Sequence, residues 1–180
     1  MKKEKFHLEI SPRCSGKSHR IVQKIIEVQK LDPNYRSGIC CPSSRMSKIL
    51  LQKINELGGD MTRVFTFSNI SEMNQNKNGD THLFFDDFIW TGWITLENIE
   101  QIVNNFHFYF SSSSSGKTPL EDFTPENSLL AKLIQLNNGF ILSYHSFDSA
   151  QHQFPSYLDE VRNTLAKNQF DQEYLAHYLK

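Results

Sequence analysis

The octapeptide "SPRCSGKS" at residues 11–18 brings together more groups able to do chemistry than any other stretch of the chain. A lysine and a hydroxyl placed directly after a glycine suit the phosphates of a nucleotide. The lysine neutralises the β- and γ-phosphates, and the serine hydroxyl ligates magnesium. The arrangement needs a strand leading into a tight turn whose N–H groups face inward. A helix must then begin at the phosphates, with its dipole turned toward their charge. The glycine that usually opens such a loop is absent, and Ser11 stands in its place. A second stretch, "SSSSSGKT" at 111–118, lacks that glycine too. The bare tripeptide GK[ST] arises by chance in about one chain in ten of this length, so the flanking pattern must separate the two.

A phosphate loop needs a partner: an apolar strand closing on an acid that holds the magnesium and its water. "LFFDDF" at 83–88 supplies one. Asp86 fits the metal position. Asp87 fits the next, where a carboxylate orients the attacking water. The plainer alternative is a pair of solvated acids at a strand end. The following apolar run, "FHFYFSS" at 106–112, leads into serines, where a γ-phosphate sensor would sit.

The elements that must position these groups are legible from periodicity. "KFHLEIS" at 5–11 reads as a strand, and Ile21, Val22, Ile25, Ile26 and Val28 recur at helical spacing after it. "RSGICC" at 36–41 is a second strand. A helix follows, capped by Ser43 or Ser44 and stopped by Gly58-Gly59. "TRVFTF" at 62–67 and "THLFFDDF" at 81–88 read as strands, with 73–80 a polar loop between them. Leu96, Ile99, Ile102, Val103 and Phe106 mark a further helix before the strand at 106–112. Thr124-Pro125-Glu126 reads as a helix start with proline at its first position, and Asn137-Asn138-Gly139 as its stop. "FILSYHS" at 140–146 is a sixth strand, and two helices near 155–167 and 170–179 complete the chain. Strands alternating with helices predict an α/β fold with a parallel sheet covered on both faces. The first loop thus lies between a strand and a periodic helix. The second is followed by Pro119, which lacks an N–H, and by "PLEDFTP", which has no helical face. Gly16, Lys17 and Ser18 are therefore assigned to the nucleotide, and Lys117 is read as a loop lysine.

Composition narrows the classes further. The 180 residues are enough for one domain with a sizeable core, and 14 phenylalanines make that core aromatic. A net charge of −1 exerts no global pull on nucleic acid. Three cysteines, Cys14, Cys40 and Cys41, match no zinc spacing and point to a reducing compartment. No apolar run reaches membrane length, so a soluble protein is expected.

The order of these motifs resembles the ATPase domain of viral large terminases, the DNA-packaging motors of tailed bacteriophages. That family's loop often lacks the leading glycine and carries an arginine four residues before the lysine, as Arg13 does here. Its coupling motif is a short Ser/Thr stretch on the strand after the acids. Ser111, Ser112, Ser113 and the two serines that follow, with Thr118-Pro119, are similar. The close of the chain, "LAKNQFDQEYLAHYLK", is similar to the helix pair that ends the family's ATPase domain, and "YHSFDSA" to the strand end before it. The resemblance runs from about residue 8 to 180. It implies a P-loop NTPase fold of the ASCE or RecA-like type, three layers about a mainly parallel sheet, in one domain over 1–180; in a departure from the family, the usual second, nuclease domain is expected to be absent. It also implies ATP and Mg2+ as cofactors and work on double-stranded DNA. By position, Arg13, Cys14, Ser15, Gly16, Lys17, Ser18 and His19 would line the nucleotide. Ser18 and Asp86 would hold the metal. Arg13, Lys17 and Asp87 would act in hydrolysis, and the serine run would couple hydrolysis to movement. The implied partners are a portal protein, a small terminase subunit, a nuclease supplied by a separate chain and further copies in a ring. The implied location is the cytoplasm of an infected bacterium.

One departure bears on rate. The family usually has glutamate after the metal-binding aspartate, and Asp87 is one methylene shorter. A carboxylate set back by about an ångström can lose about a hundredfold in rate, so slow hydrolysis is expected. This leaves a second function open, a weak or inactive nucleotide-binding interaction protein. A small nucleoside kinase, the third class, needs several arginines in a lid, and none occurs between residues 64 and 161. His145, Asp148 and His152 match no zinc pattern and read as loop residues. Cys14 either has thiolate character at a helix start or simply fits the turn. Trp90 and Trp93 read as an exposed contact or as packing at the core edge.

Overall fold

The computed structural model describes residues 3–11, 15–76, 81–104, 107–113 and 122–142, together with Asn163 and Lys167. The elements run β1 (His7–Ser11), α1 (Lys17–Leu31), β2 (Ser37–Cys40), α2 (Ser44–Glu56), β3 (Val64–Thr66), α3 (Ile70–Gln75), β4 (His82–Phe85), α4 (Ile99–Val103), β5 (His107–Ser113) and α5 (Leu129–Leu136). Short 3₁₀ turns occupy Met61–Arg63 and Phe88–Trp90. Among the described residues no helix is long and apolar enough to cross a membrane.

The five strands form one all-parallel sheet in the order β1-β5-β4-β2-β3. β5, the last in sequence, is inserted between β1 and β4. On the far side of β1 the chain returns at Leu142, which pairs in parallel with Glu9. Ile10 N donates to the Leu142 carbonyl at 2.9 Å, and Leu142 N to the Leu8 carbonyl at 2.6 Å. The strand expected over 140–146 is described only this far.

Side chains alternate across the sheet, as the two-residue period of a strand requires. Leu8, Ile10, Leu83, Phe85, Phe108 and Phe110 join one core, closed by Ile99, Ile102, Leu130 and Leu133 of α4 and α5. Ile39, Phe84 and Tyr109 join the other, closed by Ile21, Ile25, Leu50 and Ile54 of α1 and α2. Both faces are covered, so the strands read as apolar runs. Gly38 in β2 allows close packing. A Cβ there would meet the Phe65 and Leu83 side chains at 2.7–2.8 Å.

Helix ends follow the sequence closely in three places. Ser43 caps α2, its hydroxyl accepting from Met46 N at 3.3 Å. The stops at Gly58-Gly59 and Asn138-Gly139 are both Schellman turns, with Gly58 and Asn138 left-handed at φ 83° and 58°. Elsewhere the structure corrects the expectation. α5 does not start at Pro125. Ser128 caps it, accepting from Ala131 N at 3.3 Å, while Thr124 opens a separate turn whose carbonyl accepts from Ser128 N. The apolar stripe begins directly after Ser128, so its hydroxyl is the better placed cap. α4 is shorter than the Leu96–Phe106 pattern, starting after Asn98. The loop read at 73–80 begins inside a helix: Asn69 caps α3, Glu72 reaches back to Ser68 N at 2.7 Å, and Met73 is buried. The terminal helices lie outside the described residues, save that Asn163 and Lys167 are helical.

The core beneath the sheet's carboxyl edge depends on Phe85, which stacks on Phe110 with centroids 4.7 Å apart and meets Phe67 edge-on at 5.5 Å. Phe85→Ala is expected to cost about 3–5 kcal/mol, read as a lowered midpoint in denaturant unfolding with unchanged slope.

Candidate nucleotide-binding site

β1 delivers the chain to the loop, and Ser11, its last residue, is fully buried in ordinary strand geometry. No positive φ is needed where the leading glycine is missing. Gly16 does need it: φ is 86°, left-handed, at the N-cap of α1. Lys17 opens the helix and is 93 % buried (7 % exposed), its ammonium donating to the Ser11 carbonyl at 3.5 Å. Ser15 is buried beside it, and its hydroxyl has no hydrogen-bond partner. His19 is exposed on α1. Arg13, Cys14 and Pro12 between them lie outside the described residues.

The sheet order brings the predicted partners to this point. Asp86, just past β4, has no exposed surface. The Ser18 hydroxyl donates to its Oδ2 at 2.6 Å and the Ser111 hydroxyl to its Oδ1 at 3.1 Å. Three separate predictions, from α1, β4 and β5, thus converge on one carboxyl group. Ser112 is also buried and sits in register with Ile10, and Ser113 is in register with Ser11. Asp87 is half-buried and left-handed at φ 48°, turning the chain out of the strand direction into the 3₁₀ turn. Burial, reinforced by the neighbouring Asp87 charge, pushes the Asp86 carboxyl up to about 6, against the opposing pull of Ser18, Ser111 and Lys17. A buried carboxylate beside a hydroxyl is a pair of hard oxygen donors, and the residues fit Mg2+. That ion takes one or two protein oxygens and completes its shell with water and phosphate. Among the described residues no cluster of three or more His, Cys, Asp or Glu is arranged to hold a metal alone.

One group was not foreseen from the sequence. Glu9, in the middle of β1, is wholly buried and ion-paired with Arg20 of α1 at 2.6 Å. The Tyr109 hydroxyl donates to the same carboxylate at 2.6 Å. The available signal was an acid set between Leu8 and Ile10 of a strand, with an arginine in the first turn of the next helix.

The remaining predicted residues separate. Trp90 is 40 % exposed, whereas Trp93 packs at the core edge against Phe67 and Phe85. Burial pushes the thiols of Cys40 and Cys41 up to about 12, which makes them inert. Lys117, His145, Asp148 and His152 lie outside the described residues.

A left-handed glycine at a helix start, with a buried acid one strand removed across a serine strand, thus lies at the carboxyl edge of a parallel α/β fold. The chain is similar in fold to two solved structures of the Thermus phage P74-26 large terminase ATPase domain. One, an arginine-to-alanine mutant, superposes with a TM-score of 0.62 at 13% identity; the other gives 0.61 at 14%. Each match covers 96% of this chain and 88% of that one. No protein-family model matches the chain, and no curated protein matches its sequence. At this identity the likeness establishes the fold.

The raised Asp86 carboxyl sets a pH dependence. Its folded pKa of about 6 lies above the ordinary 3.8, so the folded state holds the proton more tightly. The contribution of Asp86 to stability is then fully present below about pH 4 and is lost as pH rises through 6, by about 3 kcal/mol in all. Asp86→Asn removes that penalty. In metal-free protein it is expected to melt several degrees above the wild type at about pH 7.5, an advantage that fades toward pH 4 in calorimetry.

Proposed function

We propose that the chain is a magnesium-dependent ATPase of the viral DNA-packaging type, a terminase-like domain that couples ATP hydrolysis to movement of duplex DNA. The observation that carries this reading is the meeting of the Ser18 and Ser111 hydroxyls on the Asp86 carboxyl, with Lys17 buried at the same loop. A bland helix start needs no such convergence. The terminase fold of the neighbours supports the choice of motor over other nucleotide-dependent enzymes.

In this reading Lys17 leaves the Ser11 carbonyl to neutralise the β- and γ-phosphates, and the N–H groups at the start of α1 face the same charge. Ser18 and Asp86 hold the Mg2+. The bound metal supplies charge neutralisation at the phosphoryl group. Asp87 orients the attacking water, and Arg13 contacts the γ-phosphate. Ser111, whose hydroxyl donates to Asp86, registers the presence of that phosphate. Ser112 and Ser113 carry the signal along β5, Cys14 and Ser15 complete the loop, and His19 lines the nucleotide from the first turn of α1. Work on DNA would then involve further copies in a ring, a portal and a small subunit as partners.

A second reading, a nucleotide-binding protein with weak turnover, is favoured by one observation. Asp87 combines a short side chain with a left-handed backbone, so its carboxylate starts from a different direction as well as from further back.

The test is ATP turnover by wild type, Lys17→Ala and Asp87→Glu, each with and without Mg2+ and duplex DNA. Wild type is expected to release phosphate only with Mg2+, faster with DNA. Lys17→Ala should lose at least about a hundredfold, and Asp87→Glu should gain up to about a hundredfold. No turnover by wild type with Mg2+ and DNA overturns the motor reading. ATP binding without turnover would then leave the second.

A further inference from the structure

A phosphate cradle needs its N–H groups turned toward the anion, so carbonyls of the same turn must point away and find donors elsewhere. The Ser15 carbonyl finds one in Arg20, whose Nη1 donates to it at 2.7 Å. The rest of that guanidinium is held from behind. Nε donates to both Glu9 carboxylate oxygens at 3.1 and 3.2 Å, and Nη2 to Oε1 at 2.6 Å. Glu9 is fixed in turn by the Ser11 hydroxyl at 3.0 Å and the Tyr109 hydroxyl at 2.6 Å. One planar fork therefore ties the carbonyl before Gly16 to two adjacent strands, β1 and β5. The fork lies against the turn itself, since a Cβ on Gly16 would come within 3.3 Å of Arg20 Nη1.

We infer that Arg20 is a positioning residue of the loop: it holds the Ser15 carbonyl outward so that the N–H groups that follow face the phosphates. Its effect on nucleotide affinity rests on the nucleotide-binding reading above, whereas its ordering of the loop does not. An ion pair kept only for stability would tolerate lysine, which still neutralises Glu9. Lysine lacks the fork, and one ammonium cannot replace a planar group bonded to Glu9 and Ser15 at once.

The experiment is Arg20→Lys in the full chain, with two readouts. Hydrogen exchange by mass spectrometry compares a peptide over residues 11–18 with one over 82–86 in β4, the latter reporting global opening. Exchange over 11–18 is expected to rise about tenfold while 82–86 stays unchanged, the scale set by losing one charge-assisted hydrogen bond. The dissociation constant for ATP should rise by about tenfold for the same reason. Equal acceleration of both peptides, or of neither, overturns the inference. So does unchanged ATP affinity in a wild type that binds it. A wild type that binds no ATP refutes the nucleotide-binding reading instead, and the exchange result still decides whether Arg20 orders the loop.

Discussion

The buried carboxyl of Asp86 is the constraint on which the rest of the site depends. It accepts hydrogen bonds from the start of α1 and from β5 while belonging to neither. On the same face of the sheet, two positions back, Phe84 and Tyr109 stack with centroids 5.7 Å apart and join the core covered by α1. Burial removes water from the carboxyl and raises the energy of the charged group. Two hydroxyls and a nearby lysine offset part of that cost. The group is thus poised to gain from a cation, and the same burial strengthens any charge interaction made there. The aromatic core and the chemistry of the site are one arrangement seen from two sides.

Sheet order makes this possible. With β5 inserted between β1 and β4, the loop and the acid are separated by one strand, and the serine at that strand's end fills the gap. Had β4 paired directly with β1, Ser111 would lie outside the contact between Ser18 and Asp86. Ligands of open parallel sheets bind beyond the carboxyl ends of the strands. All three elements present those ends together because the sheet is parallel throughout. A change in the loop can therefore reach β5 by two routes, through Asp86 to Ser111 and through Glu9 to Tyr109.

Local chemistry made much of this legible in the sequence. The strand–loop–helix around Gly16 and the stops at Gly58-Gly59 and Asn138-Gly139 follow from residue types at short spacing, and the pairing of Ser18 with Asp86, 68 residues apart, from a recognisable motif at each end. What stayed hidden depends on longer range or on competition between similar signals. Thr124-Pro125 read as the start of α5, but the apolar stripe begins only after Ser128, which caps the helix instead. Met73 sat in a polar stretch, yet Asn69 and Glu72 close a cap that turns it inward. The Glu9–Arg20 pair spans a strand and a helix, and its third member, Tyr109, is 100 residues from Glu9. Neither spacing nor periodicity links such residues.

The missing glycine at residue 11 has a physical account in the same network. A leading glycine is required where the chain must turn sharply or approach the phosphate with no side chain. Here Ser11 is still part of the sheet, in register with Ser113, and its backbone needs no special conformation. Its hydroxyl donates to Glu9, a bond glycine could not make. Its carbonyl receives Lys17. The left-handed conformation occurs at Gly16, where Arg20 holds the preceding carbonyl. Freedom at the first position has been exchanged for anchoring at it, and the glycine that remains is supported from outside by the Arg20–Glu9 ion pair.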